Sequence, residues 1–522
     1  MLCWLQQLWP CSPMVPMCPY VSLVPSNASK SLVKLHTLVA CGAIPFRRLP
    51  SSFILGLKPQ NMKNKHAHPK NKKFKKIALD ENWEKINPNA AGIDIGAREI
   101  FVCVPSDRDR ESVRRFGTKT PDLEEMAQWL KDCRMETVAM EATGIYWIGP
   151  FQLLERKGLK VVLVNPRQIK NVTGKKSDVM DCQWIQKLHT FGLLGGSFRP
   201  ADPYCVARTY MRLREDLIAG STCQIQLMQK ALHQMNIQLS HVLSDITGSS
   251  GMAILEAIIA GQRDPIVLAE LASRRVKSTQ EEIAKALIGD WREEHLFCLA
   301  QAHQMYLRYQ GAIAECEIKL AAELEKLPNK VDPNSKPLPP KIDRKKDINE
   351  KLRLGLYCKF GVDVTALEGI GPTAALTLLS EVGADLSAFP SEKHFCSWLG
   401  VCPDNRISGG KVLSRRTRRV VNRMADVLRM SATTLKSSQT ALGAFYRRMV
   451  ARLGPAEGIT AVAHKLARLL YSLIKHGHEY VRTGMEQYEK KNADRKMKVL
   501  RKMAESLGVQ ILEPQLVTTG VS

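Results

Sequence analysis

The sequence lacks the features that define several classes of protein. Its 14 cysteines include no Cys-x-x-Cys pair and no Cys/His spacing typical of a zinc site. Because the cysteines are scattered among apolar residues, as Cys103 and Cys298 are, we expect reduced thiols in a cytoplasmic protein and not a disulfide framework. No apolar run reaches the ~18 residues of a membrane span, so we expect no membrane partner.

The start of the chain has no acidic residue before Asp80. It also lacks the basic-then-apolar order of a signal peptide, and the four prolines between Pro10 and Pro19 would interrupt a helix. A Lys/Asn-rich stretch begins at Met62. We therefore expect residues 1–86 to be an N-terminal extension without a fold of its own. Residues 1–61 are either a disordered part of it or translated sequence upstream of a true start at Met62.

The charge of the chain is strongly unbalanced. There are 76 Lys+Arg against 51 Asp+Glu, a net charge of +25 and a sequence pI near 9.5. Since the basic residues cluster, a polyanionic partner, most simply nucleic acid, is the preferred explanation. The alternative is a solvated basic surface with no specific partner.

Residues 87–202 alternate between strand and helix patterns in the order β-β-α-β-α-β-α. That order predicts a mixed α/β sheet covered by helices. The predicted strands are Ala91–Ile95, Glu99–Val104, Thr137–Glu141 and Lys160–Val164. The predicted helices are Asp122–Asp132, Ile148–Lys157 and one that begins near Asp178.

The rest of the chain predicts three further regions. Residues 203–354 carry long helical periodicity, typical of a helical hairpin or coiled coil, and contain a Pro/Lys-rich linker at 327–347. Residues 355–480 predict a second, mostly α-helical globular domain. Residues 481–522 form a basic tail.

Four carboxylates in three short contexts are the strongest chemical signal. Asp94 and Glu141 lie in or at the end of apolar strand patterns, while Asp178 and Asp181 are spaced i, i+3 at the start of a helix. Carboxylates that converge from two strand ends and one helix are the oxygen ligands that Mg²⁺ prefers beside phosphate. The pattern predicts an enzyme that acts on phosphodiesters.

Two landmarks in the 355–480 region suggest contacts with nucleic acid. Gly369 and Gly371 lie between helical patterns, as in a helix-hairpin-helix turn that offers backbone N–H groups to a phosphate; a plain tight turn is the alternative. Further on, Ser408 precedes two glycines in a stretch without acidic residues. A Ser-Gly-Gly turn is a weak signal for a nucleophile. The basic residues of this stretch are Arg406, Lys411, Arg415, Arg416, Arg418, Arg419 and Arg423.

These segments also carry a resemblance to a known family. The chain contains, in one order, AGIDIGAREI, ETVAMEATGIYW, VVLVNPRQIKNVTGKKSDVMDCQW, LHTFGLLGGSFRP, LEGIGPTAALTLLSEVG and FCSWLGVCPDNRISGGK. Over most of residues 90–480 it resembles the IS-one-ten family of insertion-sequence transposases, the bridge-RNA-guided recombinases. Many members have threonine and alanine where this chain has Ser177 and Cys182. Both changes keep the neighbouring carboxylates.

The resemblance implies a RuvC-like RNase H fold, a helical coiled-coil region and a C-terminal transposase domain. It places the acidic tetrad on Asp94, Glu141, Asp178 and Asp181, and the nucleophilic serine on Ser408. A Mg²⁺ ion held by the tetrad is implied to polarise the scissile phosphate while the serine attacks, leaving a 5′-phosphoserine and a free 3′-OH.

The resemblance also implies partners. These are double-stranded DNA of the element ends and the target, a noncoding guide RNA that selects the target by base pairing, and a second copy in a dimer or tetramer. The expected location is the cytoplasm, on the nucleoid when DNA is bound. We expect Arg406 and Lys411 to supply charge near the serine, and Arg415, Arg416, Arg418, Arg419, Gly369 and Gly371 to bind nucleic acid.

Three alternatives stay open from the sequence. The main one is a plain RuvC-type metal-dependent endonuclease, which uses water and forms no covalent intermediate. GIDIGA also resembles the first phosphate loop of sugar kinases and actin-like ATPases, although no second Asp-Gly loop follows. The third is a nucleic-acid-binding protein whose four carboxylates are only structural, which is unfavourable because buried unpaired carboxylates are costly.

Overall fold

The computed structural model describes residues 84–169, 178–340, 350–414, 416–418 and 420–509, with the side chains of 167, 168, 406, 480–489, 491 and 492 left out. The expected N-terminal extension lies almost wholly outside the described residues. The described chain divides into two compact units, and the division falls between Ser197 and Phe198. The predicted domain boundaries at 202, 354 and 480 remain predictions.

The first unit is a five-stranded mixed sheet with helices. Its strands are β1 Ala90–Ile95, β2 Glu99–Cys103, β3 Val113–Gly117, β4 Thr137–Glu141 and β5 Lys160–Val164. Its helices are α1 Thr120–Asp132, α2 Ile148–Arg156, α3 Pro166–Ile169 and α4 Asp178–Thr190. The strand order is β3-β2-β1-β4-β5. The hairpin strands β1, β2 and β3 pair antiparallel, whereas β4 runs parallel to β1 and to β5. The predicted mixed sheet is therefore confirmed.

Strand β3 was absent from the predicted order. Its sequence, VRRFG, places Arg114 and Arg115 beside each other, and only Phe116 is buried. Strand β3 lies at the edge of the sheet and pairs with β2 alone. A five-residue segment with one buried side chain carries too weak an alternation to be recognised.

The core of the first unit lies between the sheet and α1 with α2. Ile93, Val138 and Met140 are fully buried on the central strands, and α1 contributes Met126 and Leu130. Burial of such side chains stabilises a fold by roughly 1.5–3 kcal/mol each. The central strands β1 and β4 are thereby fixed side by side.

The second unit is mostly helical, as predicted. Its longer helices are α5 Asp202–Gln234, α7 Ser249–Ile259, α10 Glu293–Lys326, α11 Glu350–Phe360, α12 Pro372–Val382, α13 Glu392–Leu399, α14 Arg423–Thr434, α15 Ala441–Leu453 and α16 Pro455–Leu507. The short helices are α6 Leu239–Val242, α8 Pro265–Glu270 and α9 Gln280–Ala286. A two-stranded ribbon, β6 Arg406–Ser408 and β7 Lys411–Ser414, completes it.

Helices α5 and α10 pack along each other as a long helical hairpin. At one end of the hairpin, α6 to α9 close a small core around Met228, Leu255 and Leu299. At the other end, Ala207 and Met211 of α5 enter the same core as α11 to α16. The predicted coiled-coil and C-terminal regions thus share one hydrophobic core.

The predicted linker is non-helical but attached to this core. The Lys330 side chain donates to the Ala384 carbonyl at 2.7 Å, and the Tyr357 hydroxyl donates to the Lys336 carbonyl at 3.2 Å. Residues 341–349 lie outside the described chain. The predicted basic tail continues as helix to Leu507, beyond a kink at Gly477.

Two expectations from composition concern cysteine and the membrane. Every cysteine in the described ranges is a free thiol. In the same ranges, no helix is both long enough and apolar enough to cross a bilayer.

Candidate functional site

Parallel pairing of β1 with β4 brings two of the four predicted carboxylates together. Ile93 pairs with Met140 in this register, so the next residues, Asp94 and Glu141, lie at the carboxyl ends of adjacent strands. Both side chains are half-buried. Their positions follow from the strand patterns that the sequence displays, because carboxyl ends of neighbouring parallel strands meet at one sheet edge.

Helix α4 brings the other two carboxylates to the same edge. Asp178 and Asp181 lie in its first turn, and the helix packs directly on β1. Gly92 permits this contact: a β-carbon there would lie 2.7 Å from the Gln186 α-carbon and even closer to the Cys182 carbonyl oxygen. A hydrogen at this position of GIDIGA thus lets the α4 backbone approach Asp94.

The same close approach accounts for the small residue at position 182. Cys182 is fully buried, and its thiol donates to the Val179 carbonyl at 3.1 Å. Cys103 pairs with Gly92 across β1 and β2, which places it beside Cys182 under α4. A thiol fits here, as a methyl group would, so this departure from the family pattern is sterically mild.

The far end of α4 is anchored by polar contacts that sequence reasoning missed. Asn87 donates through its side chain to the His189 carbonyl at 2.8 Å, and its backbone N–H donates to the Thr190 carbonyl at 2.9 Å. The His189 Nε2 atom lies 2.9 Å from the Thr137 hydroxyl oxygen. His189 is buried, and burial lowers its pKa to about 4. No local pattern in the sequence marks these long-range pairs.

The four carboxylates interact electrostatically at the sheet edge. Burial, followed by the negative charges of Asp178, Asp181 and Glu141, raises the pKa of Asp94 to about 6, although the Ile95 N–H opposes this shift. All three predicted partners therefore act on Asp94. Like charges held together in this way favour a cation among them.

The donor set suits a hard divalent cation, but the side chains are not closed around one. Within the described ranges, no three His, Cys, Asp or Glu side chains converge closely enough to hold a metal ion. The chemistry of the set, four carboxylates with mutual repulsion, fits Mg²⁺. Residues 170–177, which precede α4, lie outside the described chain.

Ser408 lies at the tip of the β6–β7 ribbon. It pairs with Lys411 across a two-residue turn in which Gly409 has φ 53° and Gly410 has φ 75°. Two positive φ angles are the signature of a type I′ hairpin turn, which explains the glycine pair by local geometry. Ser408 is exposed, and a β-carbon at either glycine would meet nothing within 4 Å. The turn beside Ser408 therefore lies in open space.

The predicted basic residues of this stretch differ in availability. Lys411 and Arg416 are exposed. Arg418 donates to the carbonyl of Ser397 and, at 2.9 Å, to its hydroxyl. Arg415 and Arg419 lie outside the described residues, and for Arg406 only the backbone, in β6, is described.

Arg423, the last of the seven basic residues, is turned toward acidic partners. Its guanidinium lies 3.2 Å from a Glu215 carboxylate oxygen and 3.7 Å from one of Asp216, both on α5. These contacts neutralise its charge, so it contributes less to a basic surface than the sequence suggests.

The two glycines of the predicted phosphate-binding turn have different environments. Gly369 has φ 85°, and a β-carbon there would lie 3.0 Å from the Ser431 carbonyl oxygen. Gly371 is exposed at the N-cap of α12, with no side-chain cap. Packing thus accounts for Gly369, whereas a β-carbon at Gly371 would meet nothing within 4 Å.

Comparison with known proteins gives two matches to transposase families. The DEDD transposase domain of IS110 elements matches residues 91–237, which include all four carboxylates. The family described as "Transposase IS116/IS110/IS902 family" matches residues 363–447, which include Gly369, Gly371 and Ser408.

One curated relative is named "Putative transposase y4pF/y4sB", from Sinorhizobium fredii (strain NBRC 101917 / NGR234). It is 29% identical over 143 residues, which is 26% of this chain and 36% of the relative. The match thus spans about a third of the relative's length. With both domain families matched in the expected order around the carboxylates and the serine, this chain belongs to the IS110 family of transposases.

Proposed function

We propose that this transposase cuts and rejoins DNA with two chemical groups: a Mg²⁺-binding centre formed by Asp94, Glu141, Asp178 and Asp181, and a nucleophilic serine, Ser408. The observation that carries the proposal is the electrostatic convergence at the sheet edge. Asp94 has a raised pKa partly because the other three carboxylates act on it. A bound cation would offset the repulsion within such a cluster, and strongly shifted pKa values of this kind are typical of functional sites.

The sheet topology supports an RNase H-like, RuvC-like assignment of the first unit. The strand order is β3-β2-β1-β4-β5, and β2 is the one strand of this sheet that runs antiparallel to the others. In that fold, carboxylates at the ends of the central strands meet others from a helix. Asp94, Glu141 and the first turn of α4 occupy those places.

The four carboxylates would hold the metal. Asp94 would be the central ligand, because it interacts electrostatically with all three others. When bound, Mg²⁺ would neutralise charge on the scissile phosphate. The contact at Gly92 and the Asn87 and His189 anchors keep α4 against the sheet. Their role is to preserve the spacing between the helix pair and the strand pair.

Ser408 would attack the phosphate. The hydroxyl loses its proton, its oxygen bonds to phosphorus, and the 3′ oxygen of the DNA leaves as a free hydroxyl. The phosphodiester energy is kept in the phosphoserine, so rejoining needs no ATP. Lys411, which pairs with Ser408 across the ribbon, is positioned to neutralise the phosphate.

Guidance by a noncoding RNA and assembly into a dimer or tetramer are part of the same proposal. They rest on the family relationship and on the net charge of +25, which suits a chain that binds more than one polyanion. In this scheme base pairing selects the target, while the protein contacts backbone and shape.

The alternatives differ in how well they suit the geometry. A sugar-kinase site needs a second Asp-Gly phosphate loop, and none follows in the sequence. A purely structural tetrad would leave carboxylates clustered and repelling. A RuvC-type endonuclease that uses water remains the second candidate, because it needs the same four carboxylates.

The deciding experiment is a search for a covalent protein–DNA adduct. Labelled DNA carrying the element's ends is incubated with the protein and its RNA, then analysed by denaturing electrophoresis. We expect an adduct with the wild type and none with Ser408→Ala or in the presence of a chelator.

Ser414→Ala is the matched control, since Ser414 ends the same ribbon. Ser431 is less suitable because it is buried. Cleavage without an adduct, or an adduct that persists in Ser408→Ala, would reject the serine and favour the endonuclease.

A further inference from the structure

The β6–β7 ribbon exposes apolar side chains that no part of the proposed chemistry uses. Ile407 is 62% exposed, Val412 is 43% exposed and Leu413 is 70% exposed. Large exposed apolar residues that cluster on one small element mark an interaction surface more often than single ones do. An isolated two-stranded ribbon is also only marginally stable in water.

Strand pairing assigns these residues to both faces of the ribbon. Ser408 pairs with Lys411, and Leu413 follows Lys411 by two residues, so these three lie on one face. Ile407 pairs with Val412 on the opposite face. The shift in pairing beside Arg406 makes Leu413 the extra residue of a β-bulge, a feature that redirects side chains.

The charge around the ribbon identifies the kind of partner. No acidic residue occurs between Asp404 and Asp426. Lys411 and Arg416, both exposed, flank the apolar side chains. Asp404, whose N–H donates to the Arg416 carbonyl, lies at the base of the ribbon, away from its tip. An apolar ribbon whose own charged residues are all basic suits a polyanion that also offers apolar groups.

We propose that the β6–β7 ribbon inserts into the major groove of duplex DNA, where Leu413, Ile407 and Val412 contact the 5-methyl groups of thymines. This rests on the proposed function, in which the ribbon tip carries the nucleophile. The major groove of B-DNA, about 12 Å wide, admits a two-stranded ribbon, and thymine methyl groups line it. A ribbon that enters the groove tip first has the base edges ahead of it and a groove wall beside each face, so apolar residues of both faces near the Gly409-Gly410 turn are removed from water.

Duplex RNA does not offer the same site. Its major groove is deep and too narrow for side chains to read, and uracil has no methyl group. The surface is therefore selective for DNA. Lys411, on the Leu413 face, would then bind a phosphate at the groove edge, close to Ser408.

The test compares binding to two synthetic duplexes, alternating dA-dT and alternating dA-dU, which differ by the thymine methyl groups. The full chain is used, and its dissociation constant is measured over a range of salt concentrations. We expect the wild type to bind the thymine duplex about three- to tenfold more tightly. In Leu413→Ser and Ile407→Ser this preference shrinks or vanishes while the salt dependence is unchanged, because apolar contacts release no counterions.

Two control variants separate this contact from charge and from folding. Ile288→Ser removes an isoleucine of equal exposure, 63%, elsewhere in the same unit, and should leave the preference intact. Lys411→Ala should weaken binding to both duplexes equally and reduce the salt dependence.

Equal binding of both duplexes by the wild type would overturn the proposal. An unchanged thymine preference in both ribbon variants would also overturn it. So would a loss of affinity for duplex RNA in these variants as large as their loss for the thymine duplex. None of these measurements needs strand cleavage. Failure of Ser408 as a nucleophile would therefore appear only in the adduct experiment, and failure of groove insertion only here.

Discussion

The two candidate catalytic elements are built in opposite ways. The carboxylates lie at the edge of a packed sheet, where Gly92 lets α4 touch β1 and buried contacts at His189 hold the helix end. Ser408 lies on an exposed ribbon with open space around its turn. One element is fixed by its own unit, and the other offers its residues outward.

The difference follows from what each element has to do. Four like charges repel each other, so their scaffold must hold them together before any cation arrives. A nucleophile has to reach a phosphate on a large substrate, which favours a projecting loop. We therefore expect substitutions in the first unit to affect stability and chemistry together, and substitutions in the ribbon to affect DNA chemistry alone.

The largest expected effect comes from removing single carboxylates. Asp94→Ala, Glu141→Ala, Asp178→Ala and Asp181→Ala should each reduce recombination by at least about a hundredfold. RNA binding should persist, since it depends on dispersed basic residues. Recombination on the element's own DNA and RNA binding by filter assay are the two measurements. Near-normal recombination in any two variants would remove the tetrad from the mechanism.

The second prediction breaks the scaffold without touching a carboxylate. Gly92→Ala places a methyl group against the α4 backbone, which cannot move away as a flexible side chain could. We expect the free energy of unfolding to fall by about 3 kcal/mol or more, measured by urea denaturation.

Gly311→Ala is the matched control for Gly92→Ala. Gly311 lies in α10, and a β-carbon there meets nothing within 4 Å. Alanine at this position should stabilise the helix by about 0.5–1 kcal/mol. If Gly92→Ala proves as harmless as Gly311→Ala, α4 does not rest on β1 as described.

Sequence patterns predict the elements that follow from local periodicity. The strands that carry Asp94 and Glu141, the helix that begins at Asp178 and the helical second unit all follow from such patterns. The prediction missed the edge strand at Val113–Gly117, because two adjacent arginines interrupt its alternation of apolar and polar residues. Edge pairing is a property of the neighbouring strand as much as of the segment itself.

The contacts that hold the site together were not predictable in the same way. Gly92 meets residues about ninety positions away, and Thr137 meets His189 over a separation of 52. Glycine in GIDIGA suggests a phosphate loop when only neighbours in sequence are considered. The packed helix α4 gives Gly92, the first of the two glycines, its structural role.

The third prediction concerns pH and the far end of α4. His189 has a folded pKa of about 4, below the ordinary value of 6.5, so the unfolded chain binds the proton more tightly. The contribution of His189 to the free energy of unfolding is therefore complete above about pH 6.5 and is lost as the pH falls toward 4, by about 2 to 3 kcal/mol. Denaturation curves across this range should show a flatter pH dependence for His189→Gln. His394→Gln, at an exposed site, is the matched control variant.

The smallest expected effect tests whether the carboxylates wait for a cation. At pH 8 without metal, Asp94→Asn removes a charge that the other three carboxylates repel. We expect the free energy of unfolding to rise by about 1 kcal/mol, a modest gain because water screens the half-buried site. Mg²⁺ at ten times its dissociation constant should stabilise the wild type by about 1.4 kcal/mol and the variant hardly at all. Unfolding midpoints in chelator and in Mg²⁺ give both values. Equal Mg²⁺ stabilisation of the two proteins would mean that the ion binds elsewhere, and the contrast between a charged scaffold and an exposed nucleophile would lose its chemical basis.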